Sequence, residues 1–77
     1  MRLTVDCEAD AAYAYLTDLP VARTRTLDEN RLLDLDHNGD VRGIELLNVS
    51  HGVELAGLPF STELSSLLRD NGIREYA

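Results

Sequence analysis

Apolar and polar residues alternate with a period of two through much of the chain between residues 2 and 49, the pattern of strands with one buried and one wet face. In RLTVD, residues 2–6, Leu3 and Val5 fall on one side and Thr4 and Asp6 on the other. AAYAYL, 11–16, sets Tyr13 and Tyr15 against Ala12, Ala14 and Leu16, and the acidic stretch 7–10 between the two runs reads as a turn. VARTRTL, 21–27, follows a turn ending at Pro20, and its threonines and arginines suit a strand near a sheet edge. RLLDLD, 31–36, alternates again, with Leu33 and Leu35 on one face and Asp34 and Asp36 on the other. VRGIELLNV, 41–49, carries apolar residues on both faces and predicts a central strand. Val41 is out of phase with Ile44 and Leu46, so a bulge at Gly43 is expected to return them to one side.

The pattern changes after residue 50. A loop punctuated by Gly52, Gly57 and Pro59 leads into STELSSLLRDNG, 61–72. Leu64, Leu67 and Leu68 form a helical stripe, Ser61 or Thr62 is the expected cap, Glu63 favours the first turn, and Gly72 is a left-handed stop. The predicted fold is a small α+β domain over residues 1–77, a meander-like antiparallel sheet of about five strands backed by one C-terminal amphipathic helix.

At 77 residues the core is thin, and a second copy of the chain is expected to bury what one copy cannot, so a homodimer is expected. The charge is −7, from 14 acidic and 7 basic residues, and every basic residue is arginine. Without a basic cluster, nucleic-acid binding by the chain alone is not expected, whereas a basic protein partner fits the charge. Cys7 is the lone cysteine, which excludes an internal disulfide and favours a cytoplasmic setting. Neither a signal-peptide pattern nor an apolar run of membrane-spanning length is evident, so no membrane association is expected.

Residues 34–45, DLDHNGDVRGIE, spell a calcium-loop pattern, with Asp34, Asp36 and Asn38 as oxygen donors, Gly39 at the sharp turn and Glu45 closing. The flanks alternate with period two instead of forming helices, and Asn38-Gly39 is a preferred hairpin pair. A hairpin would carry Asp34 and Glu45 apart on separate strands, so a turn is expected. Asp6, Glu8 and Asp10 form a second acidic group, for which turn structure is the simpler reading. Tyr13 and Tyr15 read as core or interface aromatics. His37 and His51 lack partners at ligand spacing, and Cys7 lacks an activating neighbour and reads as buried or inert. No catalytic residue, metal ligand or cofactor site is assigned.

The strings VDCEADAAYAYL and LLDLDHNGDVRGIELLNVS carry a resemblance to the YuzE-like small bacterial proteins, a family of unknown function, over about residues 3–50. The matching positions are Asp6, Glu8, Ala9, Asp10, Ala11 and Tyr13, then Thr24, Asp34, Asp36, Gly39, Gly43, Ile44, Glu45, Leu46, Leu47 and Ser50. Val5 and Leu46 depart from the tyrosine and isoleucine favoured in that family. The resemblance implies a compact β-rich fold without an established activity, with some members similar to the small partner proteins of toxin–antitoxin-like modules.

Together these features favour a non-catalytic protein–protein interaction module, in an antitoxin-like form at its most specific. Its candidate contact residues are Asp6, Glu8, Asp10, Tyr13, Asp36 and Glu45. The alternative is a divalent-metal protein, hydrolytic in its strongest form, which requires the N-terminal acids and Glu45 to converge. Enzymatic activity is left open.

Overall fold

The computed structural model describes residues 1–77. Five strands, β1 (Arg2–Asp6), β2 (Ala11–Tyr15), β3 (Arg23–Asp28), β4 (Arg31–Leu35) and β5 (Val41–Leu47), form one antiparallel sheet in the order β1-β2-β5-β4-β3. The hairpin β1–β2 and the meander β3–β4–β5 are thus joined where β5 pairs with β2, which makes β5 the central strand. After it come a 3-10 turn (Val49–His51), β6 (Val53–Glu54), helix α1 (Ser61–Asp70) and β7 (Glu75–Tyr76), with β6 and β7 paired in parallel.

Register puts one apolar row across four strands: Leu3 faces Ala14, Ala14 faces Ile44, and Ile44 faces Leu33. Ala12 and Leu46 pair on the same side. The C-terminal segment covers this face with Val49, Val53, Leu58, Leu64, Leu68 and Ile73, completing the core. Ile44, Leu46, Leu64 and Leu68 are its largest fully buried side chains.

The irregularity expected at Gly43 lies one residue earlier. Asp34 faces Gly43 while Leu35 faces Val41, so Arg42 is the extra residue, and Val41 returns to pack against the core with Ile44. The helix start also differs from expectation. Phe60, and not Ser61 or Thr62, takes the N-cap position at a left-handed φ of 56°, and no side chain caps the first turn. The stop is as anticipated at Gly72, whose φ is 71°. Gly72 N–H donates to the Arg69 carbonyl and Ile73 N–H to that of Leu68, a Schellman arrangement that seats Ile73 beside Leu68 in the core.

Arg31 ties the two layers together. Its Nη1 donates to the carbonyls of Glu54 and Ala56, and its Nε pairs with Asp28 at 2.9 Å. The Asn30 N–H, and then the Arg31 guanidinium, hold the Asp28 carboxyl below its usual range.

Candidate functional site

The face of the sheet opposite the core has no covering layer. Pairing places Thr4, Tyr13 and Glu45 in one row across β1, β2 and β5, and Tyr15, Gly43, Asp34 and Thr24 in the next. Tyr13 bridges these rows by lying across β5. Its hydroxyl donates to Asp34 Oδ2 on β4 at 2.5 Å and accepts from Arg42 Nη1 at 3.2 Å. Thr24 on β3 donates to Asp34 Oδ1 at 2.6 Å. Three strands are therefore joined through one carboxylate, and Arg42 on β5 is tied in through the Tyr13 hydroxyl.

Gly43 makes the crossing possible. A Cβ there would stand 2.1 Å from the Tyr13 hydroxyl oxygen and 2.4 Å from Cζ, inside any allowed contact. This is a glycine kept bare so that a neighbouring aromatic ring can cover it. The Tyr13 and Tyr15 ring centroids lie 4.6 Å apart, and Arg2 and Arg42 stack over Tyr15 at 4.4 and 5.2 Å. Burial, and then the hydrogen bond to Asp34, push the Tyr13 pKa up to about 12 from 10.0. A phenol held that firmly is a poor proton donor near neutrality.

Beside this network lies an open recess of about 530 Å³ whose lining includes Thr4, Asp6, Glu8, Ala11, Tyr13 and Glu45. Four of the six sequence-derived candidates, Asp6, Glu8, Tyr13 and Glu45, thus meet in one place. Asp6 is partly committed, since Oδ1 accepts the N–H groups of Glu8 and Ala9 at 3.1 Å each.

Asp10 and Asp36 stand elsewhere and hold turns. Asp10, at φ 54°, accepts both the N–H and the hydroxyl of Ser50, clasping the first hairpin to the 3-10 turn that follows the central strand. Asp36 is 4% exposed, and its Oδ1 accepts from Asn38 and Asp40 N–H at 2.9 and 3.1 Å. The Asp34–Glu45 stretch is accordingly a hairpin, with Asp34 on β4 and Glu45 on β5 opposite Leu32. Asp6 and Glu8 share a recess with Glu45 while Asp10 does not, and no three His, Cys, Asp or Glu side chains gather so as to hold a metal ion. Cys7, read as buried or inert, is exposed at the rim.

Sequence reasoning missed Arg42 as part of this face and missed the joint role of Thr24, Asp34 and Gly43. An interior strand glycine was the available signal, but it was read only as a bulge. No helix is long and apolar enough to cross a membrane.

The family described as "Protein of unknown function (DUF2283)" matches residues 2–50, well over half of the chain, and the chain belongs to that family. The match takes in all five strands of the sheet and ends at Ser50, the residue clasped by Asp10. No curated protein and no solved structure matches the chain.

Proposed function

We propose that this DUF2283 member is a non-catalytic protein–protein interaction module whose uncovered sheet face takes a basic partner segment. One observation carries the reading: Asp6, Glu8 and Glu45 border the same open recess beside Tyr13. Their carboxylates offer charge-assisted acceptors to arginine or lysine, and the Tyr13 ring offers an apolar and cation-attracting wall. The net charge of −7 steers a basic partner toward the chain over longer range. The raised Tyr13 pKa supports a structural over an acid–base role for the one strongly perturbed hydroxyl. The narrower form, an antitoxin-like partner of a basic protein, rests on the YuzE-like resemblance of residues 3–50.

Amide NMR spectra of the labelled chain, titrated with an arginine-rich peptide and a neutral peptide of equal length, test the reading. Saturable shifts at Glu8, Ala11, Tyr13 and Glu45 that weaken with salt are expected for the basic peptide alone. Equal responses to both peptides, or none to either, would overturn it.

A further inference from the structure

The two edges of the sheet are finished differently. On β3, Arg23 and Arg25 oppose Leu35 and Leu33 and so sit on the core-facing side, and a register shift between Thr26 and Asp28 interrupts the pairing. Charges directed inward and bulges are how natural sheets keep edges from pairing with other chains. β1 has neither device. Its register with β2 is unbroken from Arg2 to Asp6, its core-facing residues are Leu3 and Val5, and Val5 is 38% exposed.

Backbone alternation shows which groups β1 leaves free. Leu16 N–H donates to the Arg42 carbonyl at 2.9 Å, so even positions of β2 bond to β5 and odd positions to β1. Arg2, Thr4 and Asp6 face those odd positions and bond inward. The N–H and C=O groups of Leu3 and Val5 therefore point away from the sheet.

We propose that β1 is the interface of a homodimer, pairing antiparallel with β1 of a second copy about a two-fold axis through Thr4. The strand RLTVD is self-complementary in that register. Arg2 faces Asp6 of the second copy, Leu3 faces its Val5, Thr4 faces its Thr4, and the remaining pairs repeat these by symmetry. Leu3 and Val5 exchange about four backbone hydrogen bonds with their counterparts. Shifting the axis to Leu3 or Val5 loses both Arg2–Asp6 pairs and leaves strand ends unpaired. The corresponding pairing of β3 about Thr24 or Arg25 sets arginine against arginine, and about Thr26 it runs into the bulge.

The side chains are already placed for this contact. Arg2 is laid along the open face by stacking 4.4 Å over Tyr15, and Asp6 uses Oδ1 for its turn, leaving Oδ2 for the guanidinium. The axis runs perpendicular to the sheet, so each copy's five strands join one continuous sheet and both acidic recesses open on the same face. In the dimer Asp6 Oδ2 is committed to Arg2 of the second copy, so Glu8 and Glu45 are the acids that each recess keeps for a partner.

Thr4→Cys in a Cys7→Ser background tests the register. Across the axis the two introduced thiols sit on a non-hydrogen-bonded pair with Cα atoms about 4.5 Å apart, within disulfide reach. Sedimentation of the unaltered chain is expected to give a dimer, and mild oxidation of the variant a covalent dimer. Arg25→Cys in the same background, on the other edge, should stay uncrosslinked. Arg2→Glu sets like charges opposite each other twice and should raise the dimer dissociation constant on the order of tenfold, with an unchanged circular dichroism spectrum. A monomer at high micromolar concentration would overturn the proposal, as would a dimer that Thr4→Cys does not crosslink or Arg2→Glu does not weaken.

Discussion

Gly43 and Ile44 are neighbours in β5, and they face two kinds of packing. Ile44 is fully buried in a layer of Ala12, Ala14, Leu33 and Leu46 under the C-terminal segment. Its contribution comes from apolar area removed from water, which has no preferred direction. Gly43 faces the side that no layer covers, and there a single tyrosine ring lies across the strand, held by bonds to Asp34 and Arg42. One face is stabilised by what sits above it. The other is stabilised by a side chain laid flat and tied at its far end, which leaves the neighbouring recess open.

The largest expected effect breaks the covered side. Ile44→Ala removes a fully buried side chain and should cost about 2–5 kcal/mol in urea unfolding, a large share of the stability of a small domain. A cost under about 1 kcal/mol would mean the C-terminal layer can collapse onto the gap and the core is less close-packed than its burial suggests. Next comes Gly43→Ala on the open side, expected to cost about 1–3 kcal/mol because the new methyl group displaces the Tyr13 ring. Gly43 does not have positive φ, so an alanine there meets no backbone strain of its own. In a Tyr13→Ala background the same substitution should therefore be neutral or stabilising. A cost that persists without the ring would show that the backbone, and not the tyrosine, demands glycine.

The asymmetry between the faces also explains what could be read from the chain. Alternation located β2, β4 and β5 because each buries one side, and it reached the more exposed β1 and β3 as well. β5 stood out as central because Leu47 and Val49 extend its apolar character to a second face, although Val49 lies in the 3-10 turn and packs into the core. Asn38-Gly39 marked its hairpin through local conformational preference, and the helix followed from Leu64 and Leu68 at i, i+4. The Tyr13 crossing was not legible in this way. It depends on the pairing of β2 with β5, in which Tyr13 meets Glu45, 32 residues on, and no local pattern encodes that order. In a pure meander β2 would neighbour β3, and Tyr13 would have no route over Gly43. Two readings of an interior strand glycine, bulge or close approach, were both available, and here each occurs: the bulge at Arg42 and the approach at Gly43. Asp36 misled for a related reason, since an acid in a turn reads as exposed until the turn's own N–H groups are seen to enclose it.

The smallest expected effect separates the ring from its hydroxyl. Tyr13→Phe keeps the ring over Gly43 but removes the donor to Asp34 and the acceptor for Arg42, and it should cost about 1 kcal/mol. The pH dependence supplies a sharper signature. Folding raises the Tyr13 pKa from 10.0 to about 12, so the folded state favours the neutral phenol. The stability tied to that preference is complete below about pH 10 and is lost as pH rises through about 12. The ultraviolet tyrosinate signal should accordingly show a late step near pH 12 that Tyr13→Phe abolishes, and the variant should lose less stability than the parent between pH 10 and 12. If the two stability curves stay parallel through that window, the hydroxyl bonds contribute little and the ring alone holds the open face. That face would then be stabilised by apolar cover, as the core is, with one side chain serving as the whole layer.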